Sequence, residues 1–281
     1  MGLTDKYSRA LSPAFSVVGF VSLGLLLCLS NACKRETPNA SGFDPAERQR
    51  RGEEIVAEFL KRDSAPYRKN RIRMTIAGPS DPMKVYELEI WRKQTPEETL
   101  TLTHVVQPAD ESDLAALSIE RKGQPAVNVT YVSSTGEFRE TGTNKMFFGG
   151  LTAQELLGEW DKYSYEFLGE KAVDGVKAFE VEGKLKPGSD SIIARSRILF
   201  RADTYMPPEV HLYSADSSEL RTFQVKMFRN VSGHDVMWLT EIENHARKTK
   251  ITIETLAVEF PEKANDAMFT RDNLKQIAQK R

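Results

Sequence analysis

The fold class is decided by residues 72–90, which read IRMTIAGPSDPMKVYELEI. Apolar side chains occupy every second position on both sides of a turn rich in proline and glycine. Such alternation indicates antiparallel strands that bury one face and expose a polar face. The alternating apolar residues are Ile72, Met74, Ile76, Tyr86, Leu88 and Ile90.

The same alternation continues along the rest of the chain between short turns. Residues 163–167 and 251–260 are two examples, and Asp174-Gly175 has the pattern of a tight hairpin. About ten or eleven strands follow one another without the strand-helix-strand order of a parallel sheet. The sequence therefore predicts a mainly β fold with a few helices, built on one strongly curved antiparallel sheet or unclosed β-barrel.

A helix is predicted before the first strand. Asp44 can cap it, Pro45 suits the first helical position, and Glu47 completes a capping box. The helix ends at about Arg62. Its narrow apolar stripe is typical of a helix that packs on a sheet. The stripe consists of Ile55, Val56, Phe59 and Leu60.

Two further helices are predicted later in the chain. A short one spans residues 152–157, with Thr152 as the cap and Glu155 three residues on. It is either a plug for the core or a lid over a cavity, and the sequence favours neither. A terminal helix is predicted over residues 266–279.

Composition and motifs exclude several classes of protein. The 281 residues are 40% hydrophobic, enough for a core, and carry a net charge of −1. A nucleic-acid-binding protein needs a strongly basic face, so no nucleic-acid partner is expected. The histidines are far apart and no Gly-x-Ser-x-Gly segment occurs. We therefore expect no catalytic residues, no metal site and no cofactor, with an enzyme as the least favoured alternative.

The first 33 residues have the pattern of an export signal. Lys6 and Arg9 precede an apolar run over residues 14–29, which is shorter than the ~20 residues that span a bilayer comfortably. The run leads into residues 29–33, LSNAC, which resemble a bacterial lipobox except that Ser30 replaces the usual leucine. Two alternatives are an uncleaved N-terminal anchor helix and plain secretion.

Lipoprotein processing would divide the chain into three parts. Residues 1–32 are then the signal peptide, residues 33–43 are the lipidated Cys33 and a tether, and residues 44–281 are a single domain. Cys28 leaves with the signal peptide, so no internal disulfide is possible and stability depends on core burial. The expected location is the outer membrane of a Gram-negative bacterium, facing the periplasm.

Several segments between residues 55 and 274 occur in a characteristic order. They are residues 90–93, 147–156, 165–170, 173–175, 200–207, 248–253 and 269–274. In this order they resemble the LolA-like outer-membrane lipoprotein-sorting proteins of the LolA/LolB/LppX superfamily. The resemblance implies an unclosed antiparallel barrel whose helices cover an apolar cavity for the acyl chains of lipids or lipoproteins.

A cavity of this kind has a simple physical basis. A curved sheet with one apolar face and few helices must collapse or hold an apolar ligand, and each CH₂ group removed from water contributes about 0.8 kcal/mol. Gly149 and Gly150 are expected to form a hinge for a covering helix. The expected cavity residues, for which an ordinary packed core is the other interpretation, are Tyr86, Leu88, Ile90, Leu100, Leu102, Phe147, Phe148, Leu151, Leu156, Leu157, Trp160, Phe179, Val181, Ile198, Phe200, Phe223, Val225 and Trp238.

The predicted function is lipid or lipoprotein binding and trafficking by a monomer. Its partners are acyl chains and the membrane, which it reaches through the lipid on Cys33. This anchor departs from the soluble members of the family, which have none. The alternative function is an envelope sensor or scaffold that uses the same fold to bind a protein partner.

Overall fold

The computed structural model describes residues 42–62, 64–80, 82–111, 114–142, 151–152, 155, 160–263 and 265–279, all within one compact unit, Glu36–Arg281. Two α-helices flank the strands in this part of the chain. The elements are α1 (Pro45–Arg62), β1 (Tyr67–Ala77), β2 (Lys84–Gln94), β3 (Glu98–Gln107), β4 (Ala115–Arg121), β5 (Val127–Val132), β6 (Glu137–Gly142), β7 (Tyr163–Val173), β8 (Val176–Leu185), β9 (Arg195–Arg201), β10 (Glu209–Tyr213), β11 (Glu219–Val231), β12 (His234–Asn244), β13 (Thr249–Glu259) and α2 (Arg271–Gln279).

The described strands form one 13-stranded sheet in the order β6-β5-β4-β3-β2-β1-β13-β12-β11-β10-β9-β8-β7. All neighbouring strands are antiparallel, and β6 and β7 are the two edges, so the sheet is not closed. The predicted mainly β, unclosed antiparallel fold is confirmed. The sheet exceeds the expected ten or eleven strands, and β6 carries no alternating signal because Phe138 is its one large apolar residue.

Helix α1 packs on the end of the sheet formed by β7 and β8. Ile55, Val56 and Phe59 are buried there as the apolar stripe predicts, whereas Leu60 is 38% exposed. The three buried residues share a cluster with Phe167 of β7. Burial of this stripe, rather than helix propensity, stabilises α1 in its position.

Helix α1 also covers the open edge of β7. The Tyr165 N–H donates to Glu53 Oε1 at 3.0 Å, and Arg48 Nε lies 2.8 Å from Glu166 Oε1. The helix backbone comes very close at Gly52, where a Cβ atom would lie 2.7 Å from the Tyr165 carbonyl oxygen. Unpaired edge strands recruit other chains, and α1 removes this liability at β7.

Helix α2 covers one face of the other half of the sheet. Leu102 of β3, Leu117 of β4 and Val129 of β5 form a buried cluster with Leu274 and Ile277 of α2. The chain reaches α2 through a 3-10 turn over Asp266–Phe269. The predicted terminal helix therefore starts with a tighter turn and resumes as α2 after Thr270, whose hydroxyl accepts from the Asn273 N–H.

The predicted capping boxes are formed to different extents. At α1, Asp44 Oδ1 accepts from the Glu47 N–H at 2.9 Å, but the Glu47 carboxylate bonds to Arg50 instead of returning to the cap. At Thr152 the box is reciprocal. Thr152 N–H donates to Glu155 Oε2 at 2.6 Å, and Glu155 N–H donates to Thr152 Oγ1 at 3.1 Å. The predicted capping box between Thr152 and Glu155 is thus confirmed.

Candidate functional site

The sheet face opposite to α2 borders a cavity of about 420 Å³. This volume lies within the range of small-molecule sites, roughly 300–1000 Å³. Its apolar wall combines α1 with strands from both halves of the sheet. Examples are Phe59 of α1, Ile72 of β1, Leu88 of β2, Ile198 of β9 and Phe223 of β11.

Aromatic rings close the cavity at the α1 end. The Phe59 ring lies 5.0 Å from the Trp160 ring. The Tyr165 hydroxyl donates to the Trp160 carbonyl at 2.9 Å, and the Tyr163 hydroxyl donates to the Ile193 carbonyl at 2.9 Å. Burial raises the pKa of Tyr165. Both phenols are hydrogen bonded in this way, so their rings contribute apolar surface to the wall.

A buried ion pair lies at the cavity wall. Arg221 Nε on β11 lies 3.2 Å from Glu155 Oε1, and their side chains are 6% and 0% exposed. The contact is ionic, because neither of these two atoms makes a hydrogen bond of good geometry. Burial lowers the pKa of Arg221, and Glu155 opposes that shift. The pair attaches Glu155 to β11.

Some of the expected cavity residues do border the cavity. These are Leu88, Ile90, Trp160, Ile198, Phe223 and Val225. Tyr86 and Leu151 are buried in the adjacent cluster around Leu88 and Met74. The role of these residues in binding stays a prediction.

The remaining expected residues lie elsewhere. Phe179, Val181 and Phe200 pack in the cluster beneath α1. Leu102 faces α2 on the other side of the sheet, and Leu100, two residues earlier on β3, shares that face. The guanidinium of Arg229 lies 4.0 Å above the Trp238 ring, which does not border the cavity. Outside the described residues lie Cys33, Phe147, Phe148, Gly149, Gly150, Leu156 and Leu157.

The sequence prediction missed the polar part of the wall, because polar positions on the strands were assigned to solvent. Arg68 and Asn70 lie four and two residues before Ile72 on β1, and alternate residues of a strand point to the same face. Their positions therefore put them on the cavity face. This alternate spacing is the sequence signal from which Arg68 and Asn70 could have been predicted. The polar residues that border the cavity are Arg68, Asn70, Arg92, Thr103, Ser118, Asn128, Glu155, Ser196, Asp235, Thr240 and Thr255.

The described residues contain neither a cluster of metal ligands nor a helix that could span a membrane. Within those residues no three His, Cys, Asp or Glu side chains are grouped to hold a metal ion. None of the described helices is long and apolar enough to cross a membrane.

Comparison with known proteins gives one family and several similar folds. The profile of a family described as "Uncharacterized protein" matches residues 97–276, more than half of the chain. No curated protein matches the chain. A solved DUF1329 family protein from Desulfovibrio piger is 17% identical over 81% of this chain and 99% of its own, with a TM-score of 0.75.

Two more solved structures share the fold. A "putative outer membrane lipoprotein-sorting protein domain" from Vibrio parahaemolyticus is 16% identical, over 81% of this chain and 99% of its own, with a TM-score of 0.74. A LolA superfamily protein from Nitrosomonas europaea is 12% identical, over 79% of this chain and 98% of its own, with a TM-score of 0.65. At these identities the likeness concerns the fold, and the LolA-like fold is thereby confirmed.

Proposed function

The chain belongs to the family whose profile matches residues 97–276 and has a LolA-like fold, and from this premise we propose that it binds acyl chains of lipids or lipoproteins and takes part in their trafficking. The observation that carries the proposal is the cavity of about 420 Å³ with its largely apolar wall. Each CH₂ group that enters it from water contributes about 0.8 kcal/mol. Binding of this kind requires no covalent chemistry.

The shape of the cavity wall supports the proposal that the protein is a carrier, which must release its ligand. The sheet is not closed: β6 and β7 are its edges, α1 covers β7, and Phe59 borders the cavity from this helix rather than from a strand. A shift of α1 would break the hydrogen bond between Tyr165 and Glu53 and the contact at Gly52, but it would leave the ladder of the sheet intact. We propose that loading and release take place beside α1.

We propose in addition that the protein is an exported lipoprotein, with residues 1–32 as signal peptide, Cys33 as lipid anchor and residues 44–281 as the binding domain. The support is the sequence pattern of the first 33 residues. In a Gram-negative host, the full chain should fractionate with membranes and incorporate labelled palmitate. Cys33→Ser should abolish the label. Labelling that persists in Cys33→Ser would contradict the anchor assignment.

The binding proposal is tested by filling the cavity. Val225→Trp places a larger ring where Val225 borders the cavity on β11, whereas Met227→Trp on the same strand adds the same ring at a position that is 40% exposed. We expect Val225→Trp to weaken uptake of a fluorescent fatty acid about tenfold, the equivalent of roughly two lost CH₂ contacts. Met227→Trp should bind as the parent does.

Melting temperatures of both variants establish that they fold. Equal fatty-acid affinities for folded Val225→Trp and for the parent chain would contradict binding in this cavity. No uptake by the parent chain would contradict the proposal as a whole and favour the alternative of an envelope sensor or scaffold.

A further inference from the structure

The polar residues of the cavity wall lie in a row across neighbouring strands. Arg68 of β1 is the direct cross-strand partner of Arg92 of β2, and Arg92 is opposite Thr101 of β3. The row continues through Ser118 of β4 to Asn128 of β5. All of these residues except Thr101 border the cavity. The row therefore forms a polar strip on the cavity face.

The two arginines bring like charges together on this strip. Like charges directly opposite each other on a sheet are unfavourable in themselves. The Arg68 Nε donates to Asn70 Oδ1 at 3.0 Å, which orients the guanidinium. Planar guanidinium groups bind phosphate oxygens through paired hydrogen bonds, so two of them on one wall suit a phosphate group.

The rest of the strip is buried and polar. Thr101, Ser118 and Asn128 are 3%, 7% and 4% exposed, and the Ser118 hydroxyl bonds to Asn128 Oδ1. Thr101 Oγ1, beside Arg92 in register, has no hydrogen-bond partner among the described residues. Ser118 and Asn128 give the cavity wall a buried polar surface, which suits a polar headgroup better than an acyl chain.

Glu155 and Asp235 are the acidic residues that border the cavity in the part of the chain that the structure describes. Glu155 pairs with Arg221 of β11, and Asp235 of β12 accepts from Asn230 Nδ2 at 3.0 Å. The side of the cavity beneath α1 is mainly apolar, with Phe59, Trp160, Ile198 and Phe223 in its wall. The cavity thus has a cationic, hydrogen-bonding side on β1–β5 and an apolar side beneath α1.

We propose that the ligand of this cavity is a lipid with a phosphate-bearing headgroup, its phosphate bound by Arg68 and Arg92 and its acyl chains directed toward the apolar side. This inference rests on the proposed acyl-chain binding and narrows it to phospholipids. We expect these phospholipids to bind more tightly than diacylglycerols, whose glycerol carries no charged headgroup.

Selectivity of the full chain gives the first test. Calorimetric titration with dioctanoylphosphatidylglycerol, with dioctanoylglycerol and with inorganic phosphate compares the same acyl chains with and without the anionic headgroup, and the anion alone. We expect the phospholipid to bind at least about tenfold more tightly than dioctanoylglycerol. Inorganic phosphate should not bind at the concentrations that saturate the phospholipid.

Each of the other possible results of this titration would overturn a different claim. Equal affinities for the two lipids would overturn the headgroup site and leave acyl-chain binding intact. Inorganic phosphate binding as tightly as the phospholipid would reduce the strip to a plain anion site. Binding of neither lipid would overturn the proposed function, and the headgroup site with it.

Substitutions localise the selectivity. Arg68→Gln and Arg92→Gln should each lower the ratio of phospholipid to dioctanoylglycerol affinity about tenfold. Arg73→Gln is the matched control, because Arg73 lies on β1 but points to the other face, 3.2 Å from both Glu87 and Glu254. Melting curves establish folding of all three variants. An unchanged ratio in folded Arg68→Gln and Arg92→Gln would overturn the assignment.

Discussion

Arg221 and Glu155 show how strongly a single pair can constrain the cavity wall. Both side chains are almost fully buried, and they face each other at 3.2 Å. Removing one partner leaves the other as a buried uncompensated charge, which costs about 3–5 kcal/mol. We therefore expect Arg221→Met to lower the free energy of urea unfolding by that amount. Adding Glu155→Leu should restore most of the loss.

An exposed ion pair provides the control for this prediction. Arg121 Nε lies 3.2 Å from Glu98 Oε2, but the two side chains are 51% and 30% exposed. Solvent screening limits such pairs to about 1 kcal/mol or less, so Arg121→Met should have little effect. Equal losses of unfolding free energy in Arg121→Met and Arg221→Met would show that burial does not set the strength of the Arg221 pair.

His211 predicts a pH dependence of stability. Burial lowers the pKa of His211, but hydrogen bonds to Glu209 at 2.7 Å and Glu219 at 2.5 Å outweigh it, so the pKa lies above the ordinary 6.5. A raised pKa adds stability that is complete below the unfolded-state pKa and is lost as pH rises through the folded-state pKa. Unfolding free energy should therefore fall above about pH 6.5.

The variant His211→Gln isolates this contribution. In urea unfolding measured at a series of pH values above about 6.5, the unfolding free energy of His211→Gln should fall less than that of the wild type. His234→Gln is the control, because the His234 ring stacks on Phe260 at 4.0 Å instead of lying between two carboxylates. A His211→Gln profile parallel to the wild type would refute the role of His211.

At the scale of elements, Gly52 determines how closely α1 approaches the edge of β7. A Cβ atom there would lie 2.7 Å from backbone atoms of Tyr165 and Glu166. Alanine normally favours a helix over glycine by up to about 1 kcal/mol. Here we expect Gly52→Ala to destabilise the fold by about 1–3 kcal/mol, because neither backbone can yield. Urea unfolding measures whether Gly52→Ala lowers or raises the free energy of unfolding.

Gly42→Ala separates crowding from the general effect of adding a methyl group. Nothing lies within 4 Å of a Cβ atom at Gly42. Its unfolding free energy should stay within about 0.5 kcal/mol of the parent value. A stabilising effect of Gly52→Ala would contradict the close approach of α1 to β7.

Strand β3 illustrates what the sequence alone can and cannot predict about an element. Alternation correctly places Leu100 and Leu102 on one face. It does not indicate whether that face meets the cavity or another element, and here Leu102 packs against Leu274 of α2. The choice depends on a helix at the far end of the chain, so a local pattern contains no information about it.

At the scale of the molecule, the open antiparallel sheet could be predicted because period-two alternation is local and recurs along the chain. The polar strip could not be predicted in the same way. Arg68 and Arg92 meet only through the register of β1 with β2, and Ser118 and Asn128 join them through three further pairings. A long-range register of this kind emerges when the whole sheet is assembled.

The central claim is that this cavity holds acyl chains, and native mass spectrometry of the full chain, purified from a Gram-negative host, tests it most directly. The protein should carry a mass that collisional activation releases as a lipid, and Val225→Trp should carry less of it than Met227→Trp. A parent chain that has only its own covalent mass, and that takes up no added lipid, would contradict the account.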